Sequence, residues 1–312
     1  MRFLLRKLAH SLLLIIGVTL VSFLLMVYFG PDQTYNLLGK SSSAAQIAEI
    51  HQQLGYDRPF MSRYGEYLTG LFSLQLGSSF SNGEPVKSIL ARTLPVTLML
   101  VLPGFLIGNV LGVMLALLAA WHRGRWPDRL ITSASVAGMS ISFLIVIILL
   151  QVLLCTPFGF NLFPARGWQV SNVPTYLSYA TVPSLSLIFI TLGYNTRFYR
   201  AVFVEESGKE HIRTARAYGA SPLAIMGRQV LKNSLVPVTT RILFSIPLIV
   251  ISGSLLLETY FGIPGIGKVT FDAITNGDQP VLKAVVGLTA ALFVVVQFLA
   301  DLCYRAVDPR IA

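Results

Sequence analysis

The chain has 312 residues, 54% of them hydrophobic and only 12% charged, where soluble domains carry about 25% charge. A water-soluble fold of this length has too little interior to hide so much apolar surface. The net charge of +10 does not mark a nucleic-acid binder, because the basic residues sit in short clusters between long uncharged runs.

Six runs approach the roughly 20 apolar residues that a helix needs to cross a bilayer. They are Ser11–Phe29, Val96–Ala120, Leu130–Leu154, Thr181–Thr196, Ile242–Leu257 and Ala284–Ala300. The fourth and fifth have 16 residues each and must extend into their flanks. Backbone amides find no water in lipid, so runs of this length predict an all-α polytopic fold with six transmembrane helices.

Arg2, Arg6 and Lys7 precede the first run, as in a secretory signal. Its 19 uncharged residues exceed the roughly 7–15 of a signal core, and no small-x-small site follows Gly30, so residues 1–30 read as a retained anchor helix. Residues 31–94 form a long loop with a helical pattern over Ala44–Leu54 that Gly55 stops. Phe60, Tyr64, Tyr67 and Phe72 follow it. They suit either an interfacial cap over the bundle or a docking surface for an external partner.

The second run carries Gly104, Gly108, Gly112, Ala116 and Ala120, a small residue at every fourth position. Such a stripe lets another backbone approach, within the molecule or at a subunit interface. None of the six runs contains Asp, Glu, Lys, Arg or His; their amides are Asn109, Gln151, Asn195 and Gln297. Ion-coupled carriers place ionisable groups at membrane depth, so the energy for any transport should come from elsewhere.

With the N-terminus inside, the inner segments 1–8, 121–130, 197–237 and 304–312 hold 15 Lys/Arg in 68 residues. The outer segments 31–94, 157–180 and 259–283 hold 8 in 113. Both termini are therefore expected on the cytoplasmic side. Cys155 and Cys303 then lie on opposite sides of the membrane, too far apart for a disulfide.

His10, His51, His122 and His211 are scattered and have no partner at metal-ligand spacing. No G-x-x-x-x-G-K-[ST] motif is present, so no P-loop for ATP is expected. These features predict a passage for solute and not an enzyme, with no catalytic residues, no metal and no cofactor of its own.

The segment between the fourth and fifth runs is the most unusual. From Glu210 it reads His-Ile-Arg213-Thr214-Ala215-Arg216-Ala217-Tyr218-Gly219-Ala-Ser-Pro222. Glu210–Tyr218 predicts a short helix ended by Gly219, and Pro222 opens the next turn. Arg213 and Arg216 lie three apart on one side, among small residues. Such a helix suits a groove on another protein, although a solvated basic loop would carry the same charge.

Here the chain resembles the inner-membrane permease subunits of bacterial ABC importers, in the dipeptide/oligopeptide/nickel branch. Arg213-Thr-Ala-Arg-Ala-Tyr-Gly219 is similar to that branch's form of the EAA loop, with Tyr218 where Lys is frequent. Val230-Leu-Lys-Asn-Ser-Leu-Val-Pro237 resembles the family's continuation. So do Leu54-Gly-Tyr-Asp-Arg-Pro59, Leu76-Gly-Ser-Ser-Phe80 with Pro85-Val86, and Asp308-Pro-Arg310. After the fifth run, Glu258-Thr-Tyr-Phe261-Gly-Ile-Pro264-Gly265-Ile-Gly267 matches a further pattern.

The resemblance implies a type I importer permease in the bacterial inner membrane, paired with a second homologous permease. Two P-loop ATPase subunits, which hold ATP and Mg, and an extracytoplasmic solute-binding protein would complete it. A five-helix core over 95–304 would dock its ATPase through the loop 197–237, and 305–312 would be a cytoplasmic tail. Di- or oligopeptides are the leading solute; nickel or a metal chelate is the alternative. An ion-coupled carrier and a membrane receptor or scaffold remain as readings from other classes. Glu258 is placed at the outer mouth with Phe261, Pro264, Gly265 and Gly267. It reads as an interfacial carboxylate capping the glycine-rich turn, or as a contact for the binding protein or gate.

Overall fold

The structure, a computed structural model, describes residues 2–29, 49, 52 and 57–307. The helical pattern over Ala44–Leu54 (save Glu49 and Gln52), the Leu54-Gly55-Tyr56 part of its motif and the Asp308-Pro309-Arg310 ending lie outside the described residues. The described residues are largely helical. In chain order the helices are α1 (Arg2–Phe29), α2 (Phe60–Phe72), α3 (Val86–Trp121), α4 (Trp126–Ser140), α5 (Phe143–Cys155) and α6 (Val173–Glu206). There follow α7 (Glu210–Ala217), α8 (Pro222–Ala224) running into the π-helix π1 (Ile225–Leu231), α9 (Leu235–Leu248), the π-helix π2 (Ile249–Gly253), α10 (Ser254–Phe261), α11 (Ile266–Asn276) and α12 (Gln279–Val307).

Among the described residues, five helical stretches are long and apolar enough to span a membrane: Ser11–Phe29, Val86–Trp121, Val173–Glu206, Leu235–Phe261 and Gln279–Ala306. The expected third span over Leu130–Leu154 is not one helix. It is the pair α4 and α5, bent by 98°, which makes the sixth span if counted as one. The break falls at Ile141 and Ser142, whose ψ angles of 130° and 138° are extended. Serines on both sides favour it. Ser140 Oγ donates back to the Val136 carbonyl, and Ser142 stands at the N-cap of α5, where its own carbonyl accepts from Val146 N–H at 3.1 Å.

α6 runs beyond the expected end of the fourth span, through Glu206, so the polar connection begins at Ser207 and not at Arg197. The extra turns are held because Tyr199 and Phe203 are fully buried and Arg200 finds a carboxylate partner. The loops expected at 31–94 and 259–283 likewise contain helices, α2 and α11.

The chain forms two compact units, and its path alternates between them. One comprises Met1–Val96 and Pro264–Val295; the other comprises Thr97–Ile263 and Val296–Ala312. In the first, α2 lies against α1. Thr19 Oγ1 and Tyr64 Oη are 3.0 Å apart, and Tyr64 Oη also donates to the Ile16 carbonyl. Phe60, Tyr64 and Tyr67 surround the buried Phe23 at 5.5–5.6 Å between ring centroids. Three of the four aromatics of this segment therefore face inward, while Phe72 is exposed. Burial pushes the Tyr67 phenol above its ordinary range, which keeps it a donor, and it bonds the Lys283 carbonyl at 2.9 Å.

The turn after α2 is fastened by a residue that the sequence did not mark. Asp278 is buried and accepts from the Ser79 hydroxyl, from Phe80 N–H at 3.2 Å and from Ser81 N–H at 3.3 Å. Gly77 (φ +74°) and Gly83 (φ +71°) let the backbone curl around it. The apolar base of this unit joins Val86 and Ile89 to Ile266, Ala273, Val281 and Val285.

Candidate functional site

The segment expected to couple is seated in the second unit. α7 begins with an acid, Glu210, and carries Arg216 in its last turn, which matches the signs of the helix dipole. Ile212 is the one large aliphatic residue in it and is 1% exposed. It enters a cluster with Ala116 and Ala120 of α3, Tyr199 and Phe203 of α6, Ile225 and Val230 of the π1 region and Val238 of α9. Ala215 packs on the same cluster. Beneath the N-terminus, the buried Glu206 carboxylate meets Lys209 Nζ at 2.5 Å and His211 Nε2 at 3.3 Å. Glu206 thereby holds Lys209 charged above the ordinary lysine value of 10.5.

The end of α7 is a double-bonded turn. Gly219 N–H donates to the Arg216 carbonyl at 3.0 Å, and Ala220 N–H to the Ala215 carbonyl at 3.1 Å. This is the Schellman arrangement, and it needs the φ of +79° that Gly219 adopts. Ser221 Oγ then accepts from Ala224 N–H, and Pro222 starts α8. Arg213, Thr214, Arg216, Ala217 and Gly219 are exposed, and Tyr218 is 87% exposed. So α7 has an anchored inner side and a bare outer side.

The small-residue stripe of α3 faces α6 within the same unit. A Cβ on Gly104 would come within 3.0 Å of the Ser184 carbonyl oxygen; one on Gly108 would come within 2.2 Å of Thr191 Oγ1. Gly112 lies against Asn195, Thr196 and Tyr199. The close approach lets buried polar groups bond across the two helices. Asn195 Nδ2 donates to Asn109 Oδ1 at 2.9 Å, Tyr199 Oη donates to the same oxygen at 2.6 Å, and Asn109 Nδ2 donates to the Phe105 carbonyl.

A buried ion pair joins α4 to α6. Arg200 Nε and a terminal nitrogen reach the two oxygens of Asp128 at 2.5 and 2.7 Å, and Gly124 N–H donates to the same carboxylate at 2.8 Å. The absence of charge from the expected spans holds only for their original bounds. The longer helices carry this pair, Glu258 and Arg241 as well.

Glu258 is fully buried, and Thr97 Oγ1 donates to its carboxylate at 2.6 Å. The glycine-rich turn is capped by its backbone carbonyl instead, which accepts from Gly262 and Ile263 N–H, with Gly262 at φ +69°. Phe261 is buried, and its carbonyl accepts from Gly167 N–H at 2.8 Å. Pro264, Gly265 and Gly267 belong to the first unit, where Gly265 is the N-cap of α11 and Gly267 is buried in its first turn.

A cavity of about 940 Å3 opens beside α6, α9 and π2. Phe143, Leu187, Tyr194, Phe198, Phe244 and Leu248 make its walls largely apolar, with Arg241 on one side. No group of three or more His, Cys, Asp or Glu side chains is arranged for a metal among the described residues.

The described residues form a helical chain able to span a membrane, whose two longest helices meet around a buried polar junction, and the sequence relatives give its class. Residues 108–312 match the binding-protein-dependent transport system inner membrane component, and residues 1–101 match the N-terminal part of such a membrane component. A Brucella abortus chain, whose name assigns it by inference to a peptide transport system as a permease, is 30% identical over 98% of both chains. A Sinorhizobium fredii chain, assigned in the same way to peptide ABC transport, is 29% identical over 99% of this chain and 98% of its own. The glutathione transport system permease GsiC of Escherichia coli is 29% identical over 92% of this chain and 91% of its own.

The chain belongs to the family of inner-membrane components of binding-protein-dependent transport systems. It is a multi-pass permease of the bacterial inner membrane, a transport subunit of the ABC type and not an enzyme.

Proposed function

We propose that this permease imports di- and oligopeptides beside a second homologous permease, two P-loop ATPase subunits that bind ATP and Mg, and an extracytoplasmic solute-binding protein. Both termini face the cytoplasm, and the α7 turn is the contact with an ATPase. The observation that carries the coupling is the two-sidedness of α7, with Ile212 locked into a cluster of four helical segments while Arg213, Arg216 and Tyr218 stand bare. A partner that binds this face better in one state of the bundle biases the bundle toward that state, which is all that energetic coupling requires. The names of the relatives, peptide and glutathione systems, favour peptide over nickel or a metal chelate.

Gly219→Trp tests the coupling. Gly219 is exposed and a Cβ there meets nothing within 4 Å, so a side chain leaves the turn toward the outer side, where it would obstruct a docked partner. The strain at positive φ costs about 1–3 kcal/mol. The variant should insert and assemble, while peptide uptake and peptide-stimulated ATP hydrolysis fall together. Arg213→Glu and Arg216→Glu should lose less, in a salt-dependent way. Normal uptake by Gly219→Trp overturns the coupling assignment, and uptake of radiolabelled nickel in place of a labelled tripeptide overturns the solute.

A further inference from the structure

The cavity beside α6, α9 and π2 has a size at the upper end of the roughly 300–1,000 Å3 that small-ligand sites occupy. Its polar groups are few, and most are already engaged. Thr191 Oγ1 bonds the Leu187 and Ile188 carbonyls, Ser245 Oγ bonds the Arg241 and Ile242 carbonyls, and Thr240 Oγ1 shares bonds with the Val236 carbonyl and Tyr304 Oη. Asn195 gives its amide to Asn109.

Arg241 is different. Among the described residues it is the single charged one lining the cavity, it lies in a stretch able to span a membrane, and no carboxylate pairs with it. Its guanidinium lies 5.5 Å from the centre of the Phe198 ring, a contact that orients the plane without neutralising the charge. Arg241 is exposed beside this apolar hollow, and a cation without a carboxylate partner in a stretch able to span a membrane is of the kind that marks the path of a charged solute. A guanidinium binds best to a planar anion with two oxygens, which it meets through two parallel N–H bonds.

We infer that Arg241 receives the C-terminal carboxylate of a peptide in this cavity, an inference that rests on the peptide reading above. Every linear peptide with a free terminus carries that group whatever its side chains. One fixed cation with smooth apolar walls therefore suits solutes of varied sequence. No acidic residue among the described ones lines the cavity, so they offer the peptide's ammonium end no counterpart there.

The test uses the assembled transporter in phosphatidylcholine nanodiscs and labelled trialanine as probe, as free acid, C-terminal amide and N-acetyl acid. The acid should bind at least about tenfold more tightly than the amide, in line with a charge-assisted hydrogen-bonded pair, and N-acetylation should change little. Arg241→Gln should bring the acid down to the level of the amide without changing the amide, and Arg241→Lys should keep most of the preference. Equal binding of acid and amide by the unaltered protein overturns the inference, as does no binding of the acid. An equal loss for both probes in Arg241→Gln overturns it too, because that marks a structural role. Displacement of trialanine by added phosphatidylglycerol, dependent on Arg241, would assign the site to a lipid headgroup instead. Tripeptide uptake by whole cells is scored separately. Its absence counts against the peptide reading itself, whereas normal uptake with acid and amide bound equally counts against Arg241 alone.

Discussion

What a glycine lacks decides how near two helices can come, and the neighbouring atom decides whether a methyl group is tolerated. At Gly108 the obstacle is Thr191 Oγ1, the end of a side chain that can rotate if it gives up two bonds to its own helix. At Gly104 the obstacles are the carbonyl oxygen and Cα of Ser184, at 3.0 and 3.1 Å, which cannot rotate away. Gly108→Ala should therefore destabilise the permease by about 1–3 kcal/mol, and Thr191→Ala should relieve much of that loss. Gly104→Ala should not be relieved by Ser184→Gly. Unfolding of the purified protein in denaturing detergent, measured for both pairs, checks the contrast; equal rescue in the two pairs counts against backbone contact at Gly104. The stripe itself was legible in the sequence because small residues every fourth position need no knowledge of the partner. Which residues lay opposite was not, since Thr191 and Ser184 follow about 80 residues later and nothing local points to them.

The helices show the same division between local and distant causes. α7 ends where the sequence placed its stop, because Gly219 and Pro222 act through their own backbones. Its seat was hidden: Ile212 looks like an ordinary residue until α3, α6 and α9 are brought to it. The break at Ile141–Ser142 was hidden for another reason, since hydropathy is blind to ψ. The burial of the Glu258 carboxylate against Thr97 was hidden as well, because Thr97 lies far away in the chain. Ile212→Ala should cost about 2–5 kcal/mol locally and loosen α7 from its cluster. Amide hydrogen exchange should rise over residues 210–222 and stay unchanged in α6, with uptake reduced although the exposed face is intact. Exchange that rises equally in α6 would mean that α7 is no separate element. Under this reading the Glu206–Lys209 contact does not vary around neutral pH. A raised lysine pKa contributes its full share below 10.5 and loses it only as pH climbs past the folded value.

For the molecule as a whole, we propose from the distribution of Lys and Arg that the turn near Gly83 and the loop before α6 face outside and the α3–α4 connection inside. In a background without Cys155 and Cys303, cysteines at Asn82 and Ser171 should react with an impermeant maleimide added to intact spheroplasts. One at Arg125 should react only after lysis. All three positions are exposed. The opposite labelling pattern would invert the topology and remove α7 from the ATPase side. Membrane spanning was readable from composition alone, because the bilayer tests length and apolarity and little else. The division into two units was not, for it follows no gap in hydropathy: its boundaries fall at Val96, Ile263 and Val295, inside or beside continuous helices. That interleaving bears on how the protein is made. Chains fold from the N-terminus during synthesis, domain by domain where they can. Here the first unit waits for Pro264–Val295 and the second for the stretch from Val296, so neither closes until these late segments have been made. The newborn permease must hold its early helices in the membrane as unfinished halves, and a translational pause or truncation before the final helix leaves both units open at once.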